Sequence, residues 1–169
     1  MEQTQNETLR RLTAAARWLL GQPNVAQTID RLKMSVRTCE GPFVWSVIDP
    51  HGEILQRLPT HIKSVWIFVL KKNTRSICHF HPNSIQHMLV VEGHGSSDIG
   101  GIRKALREYD PSKAAENFWT VIDKNVPHEF FPEQTDMVVL SFHTCVAEDL
   151  IEIECGTGHQ RFYETQSTN

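Results

Sequence analysis

The second half of the chain, and much of the first, is built of short apolar runs separated by residues that favour turns. From about Ser35 onward, runs rich in Val, Ile, Phe and Trp alternate with Gly, Pro, Asn and Asp. Such runs are typical of antiparallel β structure. We predict strands near residues 43–49, 53–58, 63–71, 76–81, 86–92, 117–123, 128–131, 136–145 and 150–154. Many evenly spaced short strands predict a sandwich or a small barrel.

Two stretches between the strands carry turn or loop signals. Residues 49–52, Asp-Pro-His-Gly, predict a turn between the first two strands. Residues 100–116 contain Gly101, Asp110 and Pro111, and predict an irregular excursion.

The N-terminal segment has a different pattern, with helical spacing of apolar residues. The residues that predict the first helix are Leu9, Leu12, Ala16, Leu19 and Leu20. Gly21 and Pro23 are expected to end it, and Asn24 to cap a second, shorter helix.

Composition restricts the class of protein. The 169 residues are 40% hydrophobic and 22% charged, with a net charge of -3, as in an ordinary globular domain. Lys and Arg are scattered, which argues against nucleic acid and against a membrane as partners. The N-terminus is polar and unlike a signal peptide, so we expect a cytoplasmic protein. Its widely spaced cysteines predict free, buried thiols, although a disulfide stays open: Cys39, Cys78, Cys145 and Cys155.

The stretch from His79 to Gly93 contains the candidate metal ligands. His79 and His81 are one residue apart on a predicted strand, so their side chains point to the same face. Two imidazoles on one face can bind a single transition metal. Gln86, at the start of the next strand, is placed to provide a further ligand.

This stretch resembles the first motif of the cupin superfamily, which is Gly, five residues, His-x-His, three or four residues, Glu, six residues, Gly. His79, His81 and Gly93 are in register with it, Asn73 stands at the first Gly, and Gln86 stands at the Glu.

A degenerate second cupin motif follows. Asn117 stands at its first Gly and Asn125 at its second, and His128 coincides with the family's third histidine ligand. Asp123 and Pro132 replace the family's Pro and Asn. Asn is the non-glycine residue that best tolerates the left-handed backbone conformation, which explains its use at glycine positions.

The resemblance implies a mainly β protein with a cupin-type double-stranded β-helix, or jelly-roll barrel, and added N-terminal helices. We expect a helical extension over residues 1–35, the cupin barrel over 36–158 and a tail over 159–169. It also implies one divalent transition metal, Fe, Ni, Zn or Mn, on His79, His81 and His128. Gln86 is a candidate catalytic residue and a fourth ligand that binds loosely, through water, or only orients the substrate.

Several functions are compatible with this resemblance. Three neutral histidines leave the full charge of the metal in the site, which favours an anionic substrate. We therefore predict a metal-dependent enzyme of the dioxygenase type, acting on a small organic molecule. The alternatives are a sugar-phosphate isomerase or epimerase, suggested by the run from Gln86 to Gly93, and a non-enzymatic small-molecule-binding protein.

Two further histidines and the apolar strand faces complete the predictions. His87 points away from Gln86 on its strand and is expected to be structural. His143 is a candidate extra ligand or acid/base group. Strands 76–81 and 86–91 are apolar on both faces, so the outer face needs a cover. The N-terminal helices or a second subunit could provide it, and a homodimer is expected.

Overall fold

The structure, a computed structural model, describes residues 2–49, 52–114 and 117–163. Two long helices precede the sheets: α1, Glu2–Leu20, and α2, Pro23–Thr38. Gly21 ends α1 as predicted, but Pro23 is the first helical residue of α2 and Gln22 is its N-cap, so the prediction of Asn24 as the cap was wrong. Proline suits the first helical position because its missing N–H would have no partner there.

The strand predicted over residues 53–58 was also wrong, because this segment forms the short helix α3, Glu53–Arg57. Ile54 and Leu58 are buried, whereas Leu55 is 59% exposed. Gln56 is exposed as well, whereas a strand would bury it together with Ile54 and Leu58, so the burial follows the helical period. The predicted turn before it includes Pro50 and His51, which lie outside the described residues.

The remaining elements are antiparallel strands and a short 3-10 helix, Ala147–Asp149. The strands are β1 Phe43–Ile48, β2 Ser64–Leu70, β3 His79–Phe80, β4 Gln86–Glu92, β5 Gly95–Ile99, β6 Ile102–Leu106, β7 Trp119–Ile122, β8 His128–Pro132, β9 Met137–His143, β10 Ile151–Glu154 and β11 Gln160–Phe162. They form a five-stranded sheet, in the order β1-β2-β9-β4-β7, and a six-stranded sheet, in the order β11-β10-β3-β8-β5-β6.

Three strands lie where none was predicted. β5 has the sequence Gly-Ser-Ser-Asp-Ile, and β6 lies in the stretch expected to be irregular. β11 lies within residues 159–169, which were assigned to a tail, and pairs with β10 from Gln160 to Phe162. These strands have weak intrinsic preference for β structure, and pairing with β8, β5 and β10 imposes it.

The helices cover the outer face of the five-stranded sheet. Buried side chains of α1 and α2 pack with those of β2, β4 and β9 in one core: Leu12, Leu19, Ile29, Leu32, Val36, Val65, Ile67, Val69, Leu89, Leu140 and Phe142. The indole of Trp119 on β7 donates a hydrogen bond to the hydroxyl of Thr13 on α1, with a distance of 2.9 Å. The chain's own helices therefore supply the cover that the outer face of β4 required.

A second core lies between the two sheets. It brings Phe130 of β8 against side chains of β2, β4 and β9: Leu70, Met88, Val90, Met137 and Val139. Among the described residues, no helix is long and apolar enough to cross a membrane.

The backbone explains the asparagines at glycine positions. Asn73 and Asn125 adopt φ values of 55° and 62°, in the left-handed region, as predicted. Asn117 follows the undescribed residues 115–116, and its conformation stays a prediction. Gly93 has a φ of 81°, and a Cβ there would lie 2.5 Å from the carbonyl oxygen of Asp136.

Replacing Gly93 with Ala should therefore destabilise the fold by two separate effects. Gly101 is the matched control, because its φ of 83° is similar and nothing lies within 4 Å of a Cβ built there. The left-handed conformation alone should cost G101A about 1–2 kcal/mol. G93A should lose clearly more, because the carbonyl must also move. Equal losses in urea unfolding would show that the close backbone approach has no energetic consequence.

Candidate metal site

Three buried histidines lie close together, two of them on neighbouring strands of the six-stranded sheet. His79 begins β3, His81 directly follows it, and His128 begins β8, opposite His79 in the register of the sheet. The ring centroids of His79 and His128 are 4.2 Å apart. One ring nitrogen from each of the three lies within 4.8 Å of the other two, so this group could hold a metal ion.

A backbone carbonyl fixes the tautomer of each ring. The Nδ1–O distances are 2.7 Å from His79 to Ile77, 2.8 Å from His81 to Ile151 and 3.0 Å from His128 to Val126. Because a carbonyl can only accept, each Nδ1 carries the hydrogen and each Nε2 keeps its lone pair. This arrangement is typical of histidines that bind metals through Nε2.

The environment of two of these imidazoles favours their neutral form. Burial, and then the neighbouring His79, lower the pKa of His81 from 6.5 to about 4. Burial, and then His79 and His81, hold the pKa of His128 well below its ordinary value. The Nε2 of His128 is buried and has no hydrogen-bond partner. A buried ring nitrogen without a donor, beside two further imidazoles, suits a divalent cation.

Gln86 begins β4 and is buried. Its Nε2 donates to the Ser141 hydroxyl at 3.0 Å, while its Oε1 is buried without a partner. The Ser141 hydroxyl lies 3.0 Å from Nε2 of His143, whose Nδ1 lies 3.2 Å from the Ser84 hydroxyl. In this row of hydrogen bonds each group can donate to the next, from the Gln86 amide to the Ser84 hydroxyl. The amide oxygen of Gln86 takes no part in the row and is free to accept a hydrogen bond.

His143 is therefore in the site but outside the metal-binding group. It ends β9 and is 1% exposed, and its ring centroid is 5.3 Å from that of His81. Burial, and then the charges that neighbouring histidines would carry, hold its pKa well below 6.5. The structure gives it a role in orienting Ser141 and Gln86.

The sequence did not identify Glu152, a buried carboxylate on β10. Its Oε2 lies 3.6 Å from Nε2 of His79 and accepts a hydrogen bond from the Tyr163 hydroxyl. Arg161 lies 3.5 Å from its other oxygen. Burial, and then Glu152, hold the pKa of Tyr163 well above its ordinary value, so the hydroxyl stays a donor. Glu152 and Glu154 alternate with Ile151 and Ile153, a pattern that favours solvent-facing acids, so the sequence contained no signal for a buried one.

The cavity beside the histidines is mostly apolar. About 490 Å³ of empty space, including its open side, lies between the two sheets. Its polar lining comes from Ser76, His79, His81, Gln86, His143 and Tyr163. Its apolar lining comes from Phe43, Phe68, Leu70, Met88, Phe130, Val139 and Leu150. The residues that line it in the described part of the chain include no Lys or Arg.

Other predicted features lie away from the cavity. His87 is buried on the opposite face of β4, with its ring centroid 6.2 Å from that of His61, in agreement with a structural role. The four cysteines are free but half-buried rather than fully buried. Burial, and then a hydrogen bond with Cys155, raise the pKa of Cys78 to about 12, which makes this thiol unreactive.

Comparisons with known proteins address the fold. No protein-family model matches the chain, and no curated protein matches its sequence. Among solved structures, a salicylate 1,2-dioxygenase from Pseudaminobacter salicylatoxidans is similar over 70% of this chain and 33% of its own, with 14% identity and a TM-score of 0.50. The coconut allergen cocosin is similar over 69% of this chain and 29% of its own, with 13% identity and a TM-score of 0.51.

These structural neighbours are cupins. The similarity, together with the two antiparallel sheets described above, shows that this chain has a jelly-roll fold like that of cupins, with helices added at its N-terminus. The chain spans about a third of each of these two neighbours, and the similarity concerns the fold alone.

Proposed function

We propose that this chain is a metal-binding cupin that holds one divalent transition metal, Fe, Ni, Zn or Mn, on His79, His81 and His128. The observation that carries the proposal is the convergence of three imidazoles whose Nδ1 atoms are each bound to a backbone carbonyl. The buried Nε2 of His128 has no hydrogen-bond partner, and a metal ion shared with His79 and His81 would satisfy it.

We further propose that the protein is an enzyme of the dioxygenase type, acting on a small organic anion. When bound, the metal would supply Lewis-acid and redox chemistry. The apolar walls would hold the body of the substrate, and Oε1 of Gln86 would accept a hydrogen bond from it. A salicylate dioxygenase shares the fold, but so does a coconut allergen, so the site rather than the fold supports this proposal.

The sugar-phosphate isomerase is the less supported alternative, since no Lys or Arg that could bind a phosphate is among the described residues that line the cavity. The other alternative, a protein that binds a small molecule without converting it, is tested by measuring turnover. Metal-loaded protein that consumes no dioxygen with a panel of aromatic and aliphatic carboxylates, yet shows an increased melting temperature with one of them, would be a binding protein.

The homodimer and the cytoplasmic location remain predictions. The argument for a dimer was the pair of apolar strand faces, and the chain's own helices already cover one of them. Light scattering at several protein concentrations would measure the oligomeric state directly.

The first prediction for this site is that His81→Ala abolishes stoichiometric metal binding, whereas His87→Ala leaves it intact. Both side chains are buried imidazoles, but His87 lies on the outer face of β4, away from the cavity. Protein without an affinity tag would be analysed for metal and titrated with Mn²⁺ and Zn²⁺ by calorimetry. Wild-type protein that binds neither ion would contradict the proposed function, and so would an H81A variant that binds as the wild type does.

A further inference from the structure

We propose that Glu152, on strand β10, supplies the carboxylate ligand of the metal centre. In the cupin motif this ligand is a glutamate at the position where this chain has Gln86. This inference rests on the proposed function, because it requires a metal on the three histidines. It assigns a residue near the C-terminus, outside both cupin motifs, to the site.

The first argument is the contact between Glu152 and His79. Oε2 of the carboxylate lies 3.6 Å from Nε2 of the imidazole, and both side chains are buried. Because Nδ1 of His79 donates to the carbonyl of Ile77, Nε2 is the ring nitrogen that is left for a metal, and it is also the one beside the carboxylate. A buried carboxylate is stabilised by a nearby cation, and a metal ion on Nε2 of His79 would provide one.

The second argument is the arrangement of the other acceptors. The donor nitrogens of His79, His81 and His128 lie close to one another, and Glu152 flanks this group on the side of His79. The carboxylate thus lies at the edge of the three-histidine group, beside one of its members. A set of three imidazoles and one carboxylate suits a divalent transition metal better than three imidazoles and an amide.

The third argument is that the surroundings of Glu152 hold its position without using all of its oxygen lone pairs. Tyr163 donates to Oε2, and Arg161 lies 3.5 Å from Oε1. A carboxylate has about four lone-pair sites, so these contacts leave capacity for a metal. β11, which positions Arg161 and directly precedes Tyr163, would act as the support that orients this ligand.

The assignment divides two roles that a single glutamate would combine. Glu152 would offset one positive charge of the metal, and the neutral amide of Gln86 would remain free to bind the substrate. The centre would then carry a smaller positive charge than three histidines alone would leave.

The test exchanges the carboxylate between the two positions. Kd values for Mn²⁺ and Zn²⁺ would be measured by calorimetry for the wild type, Glu152→Gln, and the double variant Glu152→Gln with Gln86→Glu. We expect E152Q to weaken binding by about 10–100-fold and the double variant to recover most of that loss. Glu129→Gln is the matched control, since Glu129 follows His128 on β8 and contacts Arg75 instead. It should change Kd less than about threefold.

The outcomes separate this inference from the proposed function. Wild-type protein that binds no metal would overturn both. Unchanged metal affinity in a folded E152Q variant would overturn only the inference, and would leave Glu152 as a structural partner of Tyr163. If E152Q does not fold, a crystal structure of the Zn²⁺-loaded wild type decides. A Glu152 oxygen about 2.0–2.2 Å from the metal would support the inference, and one beyond about 3 Å would overturn it.

Discussion

Metal-free protein should lose several kcal/mol of stability as the pH falls from 6.5 to 4. Four buried histidines carry the effect. Burial, and then His61, lower the pKa of His87 to about 4, and the pKa of His81 is lowered equally far. The pKa values of His128 and His143 lie well below 6.5, again mainly because of burial.

The sign of this pH dependence of stability follows from proton linkage. Below pH 6.5 the unfolded chain protonates these imidazoles, whereas the folded protein does not until the pH approaches the lowered pKa. The unfolded state therefore binds more protons in this window, and the free energy of unfolding decreases as the pH falls. A pKa lowered from 6.5 to about 4 corresponds to about 3 kcal/mol for each of His81 and His87. The total free energy of unfolding of a typical domain is only about 5–15 kcal/mol.

Urea unfolding of chelator-treated protein at pH 7, 6, 5 and 4.5 would measure this loss. His87→Gln should decrease the dependence on pH by nearly one proton, about 1.4 kcal/mol per pH unit, between pH 6 and pH 4.5. The slope is compared rather than the absolute stability, because a buried Gln has packing effects of its own. A wild-type free energy of unfolding that is equal at pH 7 and pH 4.5 would contradict the prediction.

The parts of the site that were predictable from the sequence lie within short sequence motifs. His79 begins β3 and His81 directly follows it, and both reach the site, as the two-residue period of an extended chain predicts. His128 followed from the spacing of the second cupin motif, and Asn73 and Asn125 from the need for a left-handed backbone. The structure brings these three histidines together.

The unpredicted parts depend on contacts between distant segments. The Gly-Ser-Ser-Asp-Ile sequence of β5 becomes a strand only because β6 and β8 flank it. Glu152 and His79 are separated by most of the second half of the chain, and β10 must pair with β3 before they meet. The segment of α3 is too short for its period to be distinguished from that of a strand by sequence alone.

Phe142→Ala should destabilise the protein by about 3–5 kcal/mol, which tests whether the helices and the five-stranded sheet share one core. Phe142 lies on β9 and is fully buried, and its ring centroid is 5.7 Å from that of Trp119. The side chain faces the helices, so its removal would leave a cavity that neither rigid layer can fill.

Phe162→Ala is the matched control, because the same atoms are removed from a side chain that is 57% exposed. It should cost less than about 1 kcal/mol. Chemical denaturation monitored by circular dichroism would compare both variants with the wild type, since helix and sheet signals report on the two layers. If the layers form one core, both signals should be lost at a single, lower denaturant concentration in F142A. Loss of the helical signal alone, with the sheets intact, would show instead that the helices fold as a separate unit and that the cupin sheets do not depend on their cover.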